Sequence, residues 1–179
     1  MIDAAPSIYL ITGIQAAGKS TVGEHLAARF ERSAHVRDVF SQMVVSGRVG
    51  MEPDAGPEAE RQLDLRYRLA AETADTFARE GFVTVVQDNI FGVHLPRFIE
   101  RISFRPLHVI VLTPRTDVVA AREAARSKAA YRPGSWTIEG LDRLVREETQ
   151  RIGLWLDNSD HTPDQTVDEI LARSGEALV

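Results

Sequence analysis

The chain has 179 residues, 44 per cent apolar and 26 per cent charged, which suits one ordinary globular domain long enough to bury a core. Its net charge of −5 lacks the basic excess of a general nucleic-acid binder, and the absence of cysteine excludes disulfides and thiolate metal sites. No apolar run approaches the roughly 18 residues of a membrane span, and the amino terminus lacks a basic-then-apolar secretory signature, so a reducing cytoplasm is the expected location.

The first predicted element is a short apolar strand, Ile8-Tyr9-Leu10-Ile11. Directly after it comes Gly13-Ile14-Gln15-Ala16-Ala17-Gly18-Lys19-Ser20, extended by Thr21, which fits the phosphate-binding pattern G-x-x-x-x-G-K-[ST]. Val22, Leu26 and Phe30 then recur at helical spacing. Strand, glycine loop and helix form the arrangement this chemistry needs. Gly13 and Gly18 let the backbone curl so that its N–H groups point at an anion. The helix beginning near Lys19 aims the positive end of its dipole at the same point. Lys19 adds a cation for the outer phosphates, and the Ser20 hydroxyl is placed to ligate magnesium. A nucleoside triphosphate is the expected ligand.

A second strand is expected over Ala34-His35-Val36-Arg37, ending at Asp38, with a short helix marked by Val39, Phe40, Met43 and Val44 that stops near Ser46-Gly47, and a loop from Val49 to Pro57. A long helix follows from Pro57 to Gly81, with a buried stripe of Leu63, Tyr67, Ala70, Ala74 and Phe77. Phe82 to Gln87 is the strongest predicted strand and runs into Asp88-Asn89. A helical piece is expected from Leu95 to Arg101, a fourth strand from Leu107 to Leu112, and a helix from Val118 to Ala125. The stretch from Arg126 to Trp136 is polar and basic. Thr137 opens a helix running to Arg151, and Leu154 to Asp157 is a short last strand. Thr162-Pro163 starts a final helix with Val167, Ile170 and Leu171 facing inward.

Apolar strands alternating with helices predict a parallel sheet covered on both faces, with ligands outside the carboxyl ends of its strands. The residues just past each strand are therefore the candidates. Asp88 is placed to organise the magnesium ion with Ser20. Asp38 is placed to orient and deprotonate an attacking hydroxyl, the structural alternative being a cap for the helix that follows. Arg122, Arg126, Lys128 and Arg132 form a basic lid over about residues 122–136, and Arg122 and Arg126 stand four apart on one helical face. Such cations would neutralise charge on a transferred phosphoryl group, or else simply pair with Glu123 and other acids. Phe40, Met43, Val44, Met51, Phe91, Leu95 and Phe98 line an acceptor pocket or belong to the core. Asn89, His94 and His35 are weaker polar candidates.

The pattern resembles the small P-loop phosphotransferases, most of all the chloramphenicol phosphotransferase-like group, with zeta-toxin-type and gluconate- or shikimate-type kinases as relatives. The resemblance is carried by Gly13 to Thr21, by Asp38, by Val85-Val86-Gln87-Asp88-Asn89-Ile90-Phe91-Gly92, by Arg122 to Arg126 and by Thr162-Pro163. It implies a five-stranded parallel sheet in the order 2-3-1-4-5, ATP with magnesium as donor, transfer to a hydroxyl of a small molecule, and Thr162-Pro163 beside the adenine. Gln87 departs from it, standing where the antibiotic kinases tend to carry a second acid, and residues Gly47 to Arg61 match no acceptor-site pattern. The other functions weighed are a nucleotide-dependent switch, though no Asn-Lys-x-Asp guanine-reading string is present, and a kinase of nucleotide-sugars or nucleic-acid ends. Nothing in the sequence fixes an oligomeric state.

Overall fold

In a parallel sheet covered on both faces, every strand residue must tolerate burial, and the strands here do so. The computed structural model describes residues 1–126, 130–131 and 134–179. Five strands form one sheet: β1 (Ile8–Thr12), β2 (Ser33–Val36), β3 (Val83–Gln87), β4 (Leu107–Leu112) and β5 (Leu154–Leu156). All pairings are parallel and the order is β2-β3-β1-β4-β5. Strands β1 and β3 are buried along their whole length, and Ile11 is in register with Gln87. That register brings the end of β3 beside the loop that leaves β1.

The helices are α1 (Lys19–Ala28), α2 (Pro57–Arg79), α3 (His94–Arg101), α4 (Thr116–Ala124), α5 (Ile138–Glu148), α6 (Pro163–Ala172) and a short α7 (Ser174–Ala177). They cover both faces of the sheet, with α1 packed on α6 and α2 packed on α3. Among the described residues no helix is long and apolar enough to cross a membrane.

Several expected boundaries shift. The helix expected from Val39 to near Ser46-Gly47 is a single 3₁₀ turn, Phe40–Met43, with no buried residue. A turn without a buried face has no packing to extend it into an α-helix. Phe77, expected in the buried stripe of α2, is 41% exposed and instead meets Phe82 edge-on, with ring centroids 5.9 Å apart. The stripe yields there because α2 is about to end: Gly81 adopts φ +88°, the left-handed conformation that closes a helix. Leu171, expected to face inward, is half-buried. The short α7, which the sequence pattern did not announce, follows α6 directly.

Candidate active site

The phosphate-binding loop runs from the end of β1 to the start of α1, as the motif requires. Gly13 has φ +144° and Gly18 has φ +99°, and Gly18 is the residue that caps α1. A Cβ on Gly13 would sit 2.6 Å from the carbonyl oxygen of Leu112, so the loop packs directly on the end of β4. No side chain caps the N-terminus of α1. Its first-turn N–H groups are therefore left to the cleft, where an anion would satisfy them and the dipole together. Lys19 is only 8% exposed, and its Nζ donates a 2.7 Å hydrogen bond to the carbonyl of Ile14. Burial lowers the Lys19 ammonium to about 8, a shift that the nearby Asp88 and Asp38 oppose.

Facing this loop is a cleft of about 740 Å³, bordered by Lys19, Ser20, Asp38, Gln87, Asp88 and Arg122 among others. Strand register accounts for the two acids: Asp38 and Asp88 each follow the ends of paired strands, since Val36 of β2 lies opposite Val86 of β3. Asp88 is 2% exposed, and its Oδ1 accepts from the Asn89 N–H at 2.6 Å. Its Oδ2 is buried and aligned in no hydrogen bond. Burial pushes the Asp88 carboxyl above the ordinary carboxylate range, against the pull of Arg66. The segment after Asp88 is pinned by Thr12, whose hydroxyl donates to the Ile90 carbonyl at 2.6 Å and accepts from the Ile90 N–H at 2.8 Å. Asp38 is half-buried and does not cap the turn after it, because that turn starts at Val39 without a side-chain cap. Its Oδ1 is likewise buried and aligned in no hydrogen bond.

The oxygen donors present suit magnesium. Ser20 Oγ donates a long 3.3 Å bond to Gln87 Oε1, a contact a metal would readily replace, and Asp88 Oδ2 is a buried carboxylate oxygen that no hydrogen bond engages. Among the described residues no group of three or more His, Cys, Asp or Glu side chains forms a metal cage. Magnesium beside a nucleotide needs none, since phosphates and water supply most of its ligands.

The lid residues divide. Arg122 borders the cleft but is docked on protein: it donates to the Ala17 carbonyl at 3.2 Å and to the Asn158 carbonyl at 2.9 Å. Arg126 also borders the cleft and pairs with Glu123 at 3.1 Å. Lys128 and Arg132 lie outside the described residues. Thr162 serves α6 through a reciprocal cap with Gln165, while its neighbour Pro163 lines the cleft. Of the apolar acceptor candidates, Leu95 and Phe98 are core, Met43 is solvent-exposed, and Phe40, Met51 and Phe91 are half-buried against the core. His94 packs edge-on against Tyr67. His35 is tucked against Gly23 of α1, away from the phosphate loop.

Three features of the site escaped the sequence reading. Arg66, on α2, places Nε 3.1 Å from Asp88 Oδ2 and 3.8 Å from Asp38 Oδ1. Its signal was a charged residue within the apolar stripe of an amphipathic helix, between Leu63 and Tyr67. Asn158 is buried, and its Nδ2 donates to the Ala17 carbonyl at 3.1 Å, supporting the loop from the β5 side. Tyr131 ties the lid stretch to the phosphate loop by donating to the Gln15 carbonyl at 3.0 Å.

No family model matches the chain, and no curated protein matches it. Solved structures do. The tunicamycin resistance protein of Deinococcus radiodurans aligns over 97% of this chain and 98% of its own at 19% identity, with a TM-score of 0.69. The APS kinase of Mycobacterium tuberculosis, solved in complex with AMPPNP and APS, aligns over 94% and 96% at 13% identity, with a TM-score of 0.67. The shikimate kinase of Acinetobacter baumannii, in complex with shikimate, aligns over 94% and 92% at 17% identity, with a TM-score of 0.60. The likeness is one of fold, and the fold is that of the P-loop kinases.

Proposed function

We propose that this protein is an ATP- and magnesium-dependent kinase that transfers the γ-phosphate to a hydroxyl of a small molecule of the antibiotic, sugar or nucleoside kind. The observation that carries this reading is the opposition, across one cleft, of a phosphate loop with its lysine and two acids, Asp38 and Asp88, each with a buried oxygen aligned in no hydrogen bond. A switch protein needs the loop and a metal-side acid. It has no need of a second acid at the acceptor side. The AMPPNP bound by the APS kinase of like fold supports ATP as donor.

In this reading the N–H groups of Gly13 to Thr21 and the Lys19 ammonium hold the phosphates. Ser20 and Asp88 hold magnesium, which supplies charge neutralisation on the outer phosphates. Asp38 accepts the proton of the acceptor hydroxyl while that oxygen bonds to the γ-phosphorus. The bond from the γ-phosphorus to the bridging oxygen breaks, and ADP leaves with the electron pair. Arg122 and Arg126 border the same cleft and stabilise the charge that spreads over the phosphoryl oxygens. Pro163 borders the base of the nucleotide.

The test separates binding from transfer. Asp38→Asn keeps the size and loses the proton acceptor, so AMPPNP affinity stays at the wild-type value while transfer falls by about 10²–10⁴-fold. Normal turnover in that variant would refute the role of Asp38.

A further inference from the structure

Arg66 belongs to no motif, yet it stands at the junction of both acids. Its side chain is 18% exposed. Helix α2 turns it inward with the apolar stripe, and its guanidinium carbon lies 5.2 Å from the centre of the Tyr67 ring. Tyr67 is itself fixed, its hydroxyl donating to the Asn89 carbonyl at 2.6 Å. A buried arginine is costly unless it is paired. With the two acids it is paired by charge and distance alone. Asp88 Oδ2, Asp38 Oδ1 and Arg66 Nε are all buried, and none is aligned in a hydrogen bond.

That combination distinguishes an exchangeable contact from a structural one. A structural arginine–carboxylate pair gains its strength from a bidentate fork with both bonds aligned. The contact at 3.1 Å between Arg66 Nε and Asp88 Oδ2 has the Coulombic part without the directional part, so a cation of higher charge can take it over. The charges agree with this. Asp38 and Asp88 share the cleft with Lys19, Arg122 and Arg126 and are backed by Arg66, so there is no excess negative charge to draw in a free divalent ion. A metal that arrives on a triphosphate brings its own anionic ligands and needs no such excess.

We propose that Arg66 is a resident counter-cation and positioning residue that occupies Asp88 in the nucleotide-free protein, so that a divalent metal enters only together with the nucleotide. This rests on the reading of Asp88 as the metal-side acid. It assigns to α2 a role in the order of loading.

The experiment is a titration of Mn²⁺ followed by the electron paramagnetic resonance signal of the free ion. The proteins are wild type, Arg66→Gln, Arg66→Lys and the double variant Arg66→Gln/Asp88→Asn. Without nucleotide, Arg66→Gln binds Mn²⁺ at least about tenfold more tightly than wild type, because the competing charge at the same oxygen is gone. Arg66→Lys keeps the charge and behaves like wild type, and the double variant loses the gain. Tighter binding is an outcome that damage to the fold does not produce. Equal Mn²⁺ affinity in wild type and Arg66→Gln would overturn the proposal. If Arg66→Gln does not fold, wild type decides alone: a nucleotide-free Mn²⁺ site as tight as the one formed with AMPPNP overturns it, and a much weaker one supports it. The arm with AMPPNP also reports separately on the kinase reading: failure to bind nucleotide there would sink that reading, whereas the hold of Arg66 on Asp88 is decided by the nucleotide-free comparison of wild type with Arg66→Gln.

Discussion

His35 shows how a single residue can be titrated by its packing. It lies on β2 with both ring nitrogens buried and without hydrogen-bond partners. The helix beside it carries Gly23, where a Cβ would come within 2.7 Å of His35 Nε2, so only glycine lets α1 approach the ring this closely. Burial, with Arg37 adding to it, lowers His35 from 6.5 to about 4. Between those values the unfolded chain binds a proton that the folded chain does not. Its contribution is therefore intact above the unfolded value and is lost as pH falls toward the folded one. After discounting for partial exposure, the loss is on the order of 1–2 kcal/mol. Thermal unfolding at about pH 7 and about pH 4.5 checks this: the wild-type Tm drops further than that of His35→Leu. Equal drops would contradict it. At this scale the sequence was legible where chemistry is local. Gly13 to Ser20 declared themselves because a phosphate loop is built from consecutive residues. Arg66 did not, because its meaning comes from Asp38 and Asp88, which are distant in sequence and reach it only through sheet register.

Helix α6 poses a question that belongs to elements. Thr162 was expected beside the adenine, and its side chain is committed to the helix: Oγ1 accepts from the Gln165 N–H at 3.2 Å, and Gln165 Oε1 accepts from the Thr162 N–H at 2.8 Å. This capping box satisfies donors that the first turn would otherwise leave bare. Thr162→Ala therefore costs about 1 kcal/mol, seen as a Tm lower by about 2–4 °C, with AMPPNP affinity unchanged. A loss of nucleotide affinity at an unchanged Tm would return Thr162 to the adenine. The helices and strands were legible to within two or three residues wherever one face is buried, as in α2 along Leu63, Tyr67, Ala70 and Ala74, the largest slip being α5, expected to reach Arg151 and ending at Glu148. The turn at Phe40–Met43 was misread as a helix because its apolar residues are not packed inward. Apolar letters signal an element only when there is a face to bury them against.

For the whole molecule, alternating strands and helices predicted the layers, and the strand order came from the family resemblance rather than from periodicity. The order observed, β2-β3-β1-β4-β5, puts β1 at the centre with the ends of β3 and β4 on either side of the phosphate loop. That placement is why the loop, Asp38, Asp88, Arg122 and Arg126 share a cleft. The contacts made by the stretch before α5 were not legible, because they join residues across long separations. Trp136 donates from the lid stretch to the Met51 carbonyl at 3.1 Å, and Tyr131 reaches back to Gln15. No local pattern encodes such meetings.

The central claim is phosphoryl transfer, and the most direct measurement is movement of labelled γ-phosphate from ATP to a panel of hydroxyl compounds. The panel holds phenicol and aminoglycoside antibiotics, sugars, nucleosides, nucleotide-sugars and oligonucleotide ends, with Lys19→Ala as the control. The expected result is a labelled small-molecule product that disappears in the control. Tight ATP binding with no labelled product from any class would contradict the kinase reading and favour a nucleotide switch.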